Sequence, residues 1–202
     1  MITIVDYGLG NVNAFLNVYR RLNIAAKTAC CADDLTDAVK VILPGVGAFD
    51  HAMDRLNQSG MRDALDDVVV RRQVPVLGVC VGMQMLGRDS EEGRLPGLAW
   101  VPGRVRSLAS LAVTLPVPHM GWNDVSPAEN EPLFGRLEAP ARFYYLHSYY
   151  FECERAEDAI ATAEYGGRFA CAVRAGNVYG VQFHPEKSHH NGVQLLKNFA
   201  EI

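Results

Sequence analysis

The stretch VPVLGVCVGMQ (residues 74–84) sets a short apolar run directly before a turn between two glycines. A continuous apolar run of this length is typical of a strand that a parallel sheet buries on both faces. Cys80 follows between Gly78 and Gly82, the G-x-C-x-G pattern of a nucleophile elbow with sulfur in place of oxygen. A helix expected from Gly82 would point its first amides at the thiol and favour a thiolate. The motif predicts a nucleophile at the carboxyl edge of a sheet, although it also fits a small buried cysteine at a tight turn.

The rest of the first half repeats the order of strand, turn and helix. Residues 2–5 predict a strand, and apolar side chains then recur at helical spacing after Asn11, which is placed to cap that helix. Residues 39–43 predict a second strand that is broken at Pro44, and residues 61–68 carry a helical apolar stripe. Short apolar strands that alternate with amphipathic helices predict a mostly parallel central sheet with helices on both faces.

The second half changes character, because strands follow one another with only turns between them. They are predicted at residues 143–151, 160–165, 169–174 and 178–183, and some of them are expected to be antiparallel. Residues 193–199 predict a closing helix, and residues 95–118 predict the main irregular connection. We find no repeat or low-complexity linker, so residues 1–202 are predicted to form a single α/β domain with additional strands in its second half.

Composition and charge argue against several classes of function. The 202 residues carry a formal charge of −4, and the basic side chains are dispersed, so nucleic acid is not expected as a partner. The chain opens without a secretion signal, and no apolar run approaches the ~20 residues that span a bilayer. We therefore expect a soluble, cytoplasmic protein without a membrane partner.

The cysteines are expected to be free thiols in a reducing compartment. Five cysteines are an odd number, and they lack paired CxxC spacing, which argues against a disulfide framework and against a zinc site. Cys30 and Cys31 are adjacent, and for them we expect a buried or half-buried packing position.

A thiolate that attacks a carbonyl needs a group that manages protons and another that orients this group. The segment VQFHPE (residues 181–186) supplies both at the end of a predicted strand. His184 is the candidate base and acid, and Glu186 lies close enough in sequence for its carboxylate to hold one imidazole tautomer. A His-Pro-Glu turn alone is more often surface structure, but its place at a strand end in a chain with a cysteine elbow favours catalysis.

The tetrahedral intermediate of such an attack needs hydrogen-bond donors for its oxyanion. Pro44-Gly45-Val46-Gly47 follows another predicted strand, and its glycines allow backbone N–H groups to turn toward a ligand. Because a peptide beside glycine rotates easily, the same loop is a candidate gate. An ordinary strand-terminating loop explains these residues equally well.

Six segments, in order along almost the whole chain, resemble the class I glutamine amidotransferases. They are DYGLGN (6–11), LPGVGAF (43–49), GVCVGMQ (78–84), PHMGWN (118–123), LHSYY (146–150) and GVQFHPEKS (180–188). Within that family, PGVGAF, PHMGWN and HSYY are similar to the members that supply ammonia for histidine biosynthesis. The resemblance implies the three-layer fold of the family and a glutaminase with a Cys-His-Glu triad.

The resemblance also implies roles for individual residues. The catalytic positions match Cys80, His184 and Glu186, and the oxyanion positions match Val46, Gly47 and Val81. The glutamine-binding positions match Gln84, Glu92, His147, Ser148 and Tyr149, of which the last three also fit alternating side chains of a half-buried strand. The partner-facing positions match Gly10, Asn11, Trp122 and Lys187, although Asn11 also fits a helix cap and Lys187 a solvated charge.

No synthetase or cyclase domain fits in this chain, so the acceptor of the ammonia is expected on a partner. By resemblance, the partner is a (β/α)8-barrel cyclase in a heterodimer, glutamine is the substrate, and neither a metal nor an organic cofactor is implied. Three alternatives stay open. They are a glutaminase like that of pyridoxal phosphate synthase or anthranilate synthase, a noncatalytic regulatory protein, and a stand-alone γ-glutamyl hydrolase.

Overall fold

The computed structural model describes residues 1–111 and 115–202. Parallel strands form the first half of its central sheet. The elements of this half are β1 (Ile2–Val5), α1 (Val12–Arg21), β2 (Ala26–Ala29), β3 (Val41–Gly45), α2 (Phe49–Gln58), α3 (Arg62–Asp66) and β4 (Val76–Cys80). The strands lie in the order β2-β1-β3-β4, and each neighbouring pair is parallel. The carboxyl ends of β3 and β4 therefore meet at one edge of the sheet.

The second half of the chain extends this sheet and adds a separate ribbon. Its elements are α4 (Val81–Gln84), β5 (Gly103–Ser107), β6 (His119–Asp124), β7 (Ser126–Pro127), β8 (Arg142–His147), β9 (Tyr149–Cys153), β10 (Ala159–Glu164), β11 (Arg168–Ala175), β12 (Val178–Val181) and α5 (His189–Glu201). β12 pairs with β4 in parallel, whereas β11, β10 and β7 continue the sheet in antiparallel fashion. β9 pairs with β11 and β5, and β6 and β8 form the ribbon.

The burial pattern explains why these residues form these elements. Every residue of β1, β3, β4 and β12 is buried, as expected for strands covered on both faces. α1 buries Phe15 and Tyr19 against the sheet, and Asn11 Oδ1 accepts a hydrogen bond from the Ala14 amide at 3.2 Å. The predicted helix cap at Asn11 is confirmed.

The α/β class, the mostly parallel central sheet and the antiparallel strands of the second half are confirmed. The buried apolar residues of both halves belong to one core. The assignment of residues 1–202 to one domain stays a prediction.

Two strand boundaries predicted from the sequence are wrong. β3 does not break at Pro44 but continues through it to Gly45. β1 pairs with β3 only at Val41 and Ile42, so β3 no longer pairs with β1 at Pro44. The missing N–H of proline is tolerated at such a position. The predicted strand 143–151 divides at Ser148, because β8 pairs with β6 in the ribbon while β9 pairs with β5 and β11 in the main sheet.

Three other expectations are also corrected. Residues 95–118 are not irregular throughout, since they contain β5, while residues 112–114 of that stretch lie outside the described residues. The helix expected over residues 61–68 is α-helical only to Asp66 and then forms a π turn. Cys30 and Cys31 are exposed rather than packed, because they follow the edge strand β2 and donate their amides to the Asp34 carboxylate.

In the parts of the chain that the structure describes, no helix is both long enough and apolar enough to cross a membrane.

Candidate active site

The elbow at Cys80 is built by the close approach of backbone segments. β4 ends at Cys80, whose φ of 55° and ψ of −113° are strained for a residue with a side chain. A Cβ on Gly82 would collide with the Leu43 carbonyl oxygen of β3, and a Cβ on Gly78 would lie 2.6 Å from the Gly82 oxygen. The glycines on both sides of Cys80 are therefore required by packing. α4 adds only a single turn, which is shorter than the helix expected there.

His184 and Glu186 form a buried pair just beyond the end of β12. Nδ1 of His184 lies 2.9 Å from Oε1 of Glu186, and the Glu186 side chain is only 3% exposed. The carboxylate can only accept, so Nδ1 carries the hydrogen and Nε2 is left for chemistry. The backbone is anchored as well, because the His184 amide donates to the Tyr144 carbonyl at 2.9 Å.

The surroundings of His184 favour its protonated form. Burial alone would lower the pKa of the imidazole, but hydrogen bonding and charge from the Cys80 sulfur and the Glu186 carboxylate outweigh it. They raise the pKa of His184 from 6.5 to about 9. At neutral pH the ring is therefore an imidazolium, which can pair with a Cys80 thiolate and can donate a proton.

One glutamine side chain, Gln182, contacts the sulfur, and a second, Gln84, contacts Gln182. Gln182 Nε2 donates to Cys80 Sγ at 3.9 Å, and the Leu146 carbonyl oxygen also lies 3.9 Å from Cys80 Sγ, both long contacts even for sulfur. Gln84 Nε2 donates to Gln182 Oε1 at 3.2 Å and to the Tyr149 carbonyl at 3.3 Å. The sequence motifs did not predict the position of Gln182 beside the sulfur. The available signal was a polar residue within an apolar strand run, two positions before the histidine.

One cavity of about 340 Å³ collects the residues expected to act on glutamine. Its lining contains Cys80 and His184, whereas Glu186 lies behind the histidine. It also contains every predicted oxyanion and substrate residue, namely Val46, Gly47, Val81, Gln84, Glu92, His147, Ser148 and Tyr149. Their shared position is a structural fact, while their individual roles stay predictions.

Glu92 is already engaged in the structure. Its Oε2 accepts a hydrogen bond from the Phe49 amide at 2.8 Å, at the first residue of α2. This contact helps to hold Glu92 in the cavity wall, while its binding of the glutamine amino group stays a prediction.

The four predicted partner-facing residues have different surroundings. Lys187 lines the cavity, with Nζ 6.0 Å from the centre of the Tyr144 ring. Trp122 is 43% exposed and stacks on His189. Gly10 packs against the candidate oxyanion loop, since a Cβ on it would lie 2.7 Å from Pro44 Cβ, and Asn11 caps α1.

Within residues 1–111 and 115–202, His, Cys, Asp and Glu side chains do not gather in groups of three or more that could hold a metal ion.

Comparison with a protein family agrees with this geometry. Residues 3–202 match the family described as glutamine amidotransferase class-I. The match includes every residue of the cavity and the His184–Glu186 pair.

Two curated relatives match the chain from end to end. A protein of Bdellovibrio bacteriovorus named imidazole glycerol phosphate synthase subunit HisH is 60% identical over 204 residues and covers 100% of both chains. A protein of the same name from Leptospira interrogans is 51% identical over 204 residues, again with 100% of both chains covered.

A solved structure shows the same fold at low identity. The crystal structure of a putative GMP synthase component from Thermoplasma acidophilum superimposes with a TM-score of 0.72 at 21% identity. The match covers 99% of this chain and 92% of that one. At this level of identity the likeness concerns the fold alone.

Proposed function

Because this chain belongs to the class I glutamine amidotransferase family, we propose that Cys80, His184 and Glu186 hydrolyse glutamine in the glutaminase subunit of an imidazole glycerol phosphate synthase. Full-length relatives of that name at 60% and 51% identity support this function over the other ammonia-supplying glutaminases. The observation that carries the proposal is the convergence of a cysteine elbow and a buried His–Glu pair on one cavity.

The first half-reaction forms a thioester. The Cys80 thiolate attacks the side-chain carbonyl carbon of glutamine, and backbone donors at Val46, Gly47 and Val81 stabilise the oxyanion. The imidazolium of His184 gives its Nε2 proton to the amide nitrogen as the carbon–nitrogen bond breaks. Ammonia leaves, and a γ-glutamyl group stays on the sulfur.

The second half-reaction restores the enzyme. The neutral imidazole takes a proton from water, and the resulting hydroxide attacks the thioester carbonyl. Collapse of the intermediate expels the Cys80 thiolate beside the imidazolium and releases glutamate. Glu186 keeps Nδ1 protonated throughout, so the same nitrogen, Nε2, exchanges protons in both steps.

An exposed apolar strip beside the cavity supports a cyclase partner. Met120 is 65% exposed and Leu146 is 41% exposed, and they face each other across the β6–β8 ribbon. Trp122 lies two residues along the same face of β6, opposite Tyr144. Exposed apolar patches of this kind mark interaction sites. The proposed occupant is a (β/α)8-barrel cyclase in a cytoplasmic heterodimer, contacted also by Gly10, Asn11 and Lys187.

The ammonia then serves the cyclase reaction. In this proposal the partner combines it with a ribulosyl-aminoimidazole phosphate intermediate, giving imidazole glycerol phosphate and an aminoimidazole carboxamide ribotide. Because free ammonia would be lost to water, we expect the glutaminase to be active mainly when its partner is bound. The loop at Val46 and Gly47 is the proposed gate, and its neighbour Pro44 is packed against Gly10.

The test is a glutaminase assay with three arms, which contain the chain alone, the chain with the cyclase, and the chain with the cyclase and its phosphorylated ligand. We expect a low rate in the first arm and the highest rate in the third. Loss of one oxyanion donor typically costs ~10²–10³ in rate, so the gate can account for a difference of this order. Equal rates in all arms would overturn the gating, and no hydrolysis in any arm would overturn the glutaminase function.

A further inference from the structure

A buried histidine pair adjoins the cavity, because His147 lines it and His119 contacts His147, and the chemistry described above does not use the protons of either ring. His119 of β6 and His147 of β8 lie opposite each other in the ribbon, with His119 Nδ1 2.9 Å from His147 Nε2. His119 is 3% exposed and His147 is 5% exposed. Burial lowers the pKa of His119 to about 4 and that of His147 to about 3, so both rings are neutral at physiological pH.

The contacts fix the tautomer of each ring. His147 Nδ1 lies 2.8 Å from the Tyr149 carbonyl oxygen, which can only accept, so this nitrogen carries the hydrogen. In a neutral ring Nε2 must then accept, and His119 Nδ1 is the donor. His119 Nε2 accepts in turn from Asn123 Nδ2 at 3.3 Å.

The orientation of Asn123 is determined independently of the histidines. Its Nδ2 donates to the Glu164 carbonyl at 2.8 Å, while its Oδ1 accepts the Asp124 amide at 2.8 Å. The hydrogen bonds therefore all run in one direction, from Asn123 through His119 and His147 to the Tyr149 carbonyl.

This chain of hydrogen bonds ends at the glutamine-binding wall. The Tyr149 carbonyl also accepts a hydrogen bond from the Gln84 side chain, which donates another to Gln182. Gln182 in turn contacts the Cys80 sulfur. The Tyr149 carbonyl therefore connects the histidine pair to Gln84, while His147 itself lines the cavity.

We propose that His119 is a positioning residue for glutamine binding, because its Nδ1–H holds His147 in the tautomer that anchors the Tyr149 carbonyl and, with it, Ser148, Tyr149 and Gln84. The inference rests on the proposed function, which makes glutamine the ligand of this cavity. Without the His119 donor, His147 Nε2 is buried and unpaired, or the proton moves from Nδ1 to Nε2 and the Tyr149 carbonyl loses its anchor. Either change loosens the wall and leaves the reacting atoms untouched.

The ring stack around His119 allows a matched pair of variants. His119 is stacked between Tyr145 at 4.6 Å and Tyr165 at 4.0 Å, measured between ring centroids. His119→Phe keeps an aromatic ring between the tyrosines but has no donor. His119→Asn gives up the ring but places an N–H near the position of Nδ1. His51→Phe changes an exposed histidine on α2 and serves as the control.

The experiment measures glutaminase kinetics of each variant in complex with the cyclase and its ligand. Loss of the anchor is expected to raise KM for glutamine about tenfold in His119→Phe with kcat within about threefold, as for an interaction that contributes to binding. His119→Asn is expected to recover KM to within about threefold of wild type, and His51→Phe to match wild type. A wild-type KM in His119→Phe, or a lowered kcat with unchanged KM, would overturn the proposal and indicate at most a structural role.

A spectroscopic measurement keeps the proposal testable if His119→Phe does not fold. Nitrogen-15 NMR of the imidazoles in the wild-type protein should show His119 and His147 neutral, each with its hydrogen on Nδ1. A hydrogen on Nε2 of His147 would refute the proposal whatever the kinetics show. If wild type in the full complex hydrolyses no glutamine, the proposed function fails, while the tautomers still decide whether the histidine pair is arranged as described.

Discussion

Glu186→Gln removes the charge that faces His184 while keeping the size of the side chain. The structure makes this charge important, because Oε1 contacts His184 Nδ1 at 2.9 Å and the side chain is almost fully buried. Among the described residues, the other oxygen, Oε2, is buried without a hydrogen-bond partner. Interaction with the imidazolium is therefore the main compensation that the carboxylate receives for its burial.

The size of the effect follows from the pKa of His184. A rise from 6.5 to about 9 is about 2.5 units, which corresponds to roughly 3 kcal/mol in favour of the imidazolium. Because Cys80 and Glu186 share this effect, losing Glu186 should reverse part of the rise in the pKa of His184. Glu186 accounts for only part of this roughly 3 kcal/mol, so the effect should lower kcat by up to about 10²-fold.

The assay is the pH profile of glutamine hydrolysis by the complex with the cyclase and its ligand. In wild type, kcat/KM should fall as the pH rises through about 9, where His184 loses the proton that ammonia departure needs. In Glu186→Gln this alkaline limb should move to lower pH. Glu129→Gln, on an exposed loop, should leave the profile unchanged. An unshifted alkaline limb in Glu186→Gln would refute the assigned role of the carboxylate.

The same pKa determines the sign of the pH effect on stability. The folded pKa of His184 lies above its unfolded value, so its contribution is fully present below pH 6.5 and is lost as the pH rises through about 9. The free energy of unfolding of wild type should therefore fall across this window, and it should fall less in Glu186→Gln.

Two further predictions concern the elbow. An electrophilic glutamine analogue should label Cys80 in preference to the exposed Cys30 and Cys31, because Cys80 lines the cavity beside His184. Cys153 and Cys171 should also resist it, because burial raises the pKa of each thiol to about 12, and peptide mapping that places the analogue elsewhere would contradict the site. Gly82→Ala should lower the free energy of unfolding by about 1–3 kcal/mol or more and abolish hydrolysis, because its Cβ would collide with the Leu43 oxygen. Gly135→Ala, whose Cβ would lie 3.3 Å from the Pro132 oxygen, should be tolerated. Equal denaturation midpoints for the two variants would count against the close packing of the elbow.

The sequence predicted the parallel centre of the fold because strands buried on both faces carry unbroken apolar runs. It could not locate the division at Ser148, because β8 and β9 have similar aromatic sequences although β8 pairs with β6 and β9 pairs with β5. Exposure of Cys30 and Cys31 was missed because small thiols suit either environment and only the sheet order shows that β2 is an edge strand.

The candidate site shows the same division between local pattern and tertiary contact. The elbow and the His-Pro-Glu turn are local, so the sequence indicates them directly. The contact of Gln182 with Cys80 and the role proposed for His119 through His147 both depend on residues that are distant in the chain. The spacing of residues in the sequence does not predict contacts between such distant residues.

The most direct test of the central claim is detection of the covalent intermediate. The complex with the cyclase and its ligand is mixed with saturating glutamine, quenched in acid during turnover, digested and analysed by mass spectrometry. The account predicts a γ-glutamyl group on the peptide that contains Cys80, and neither adduct nor hydrolysis in Cys80→Ala. Sustained hydrolysis by Cys80→Ala, or an adduct on another cysteine in wild type, would contradict it.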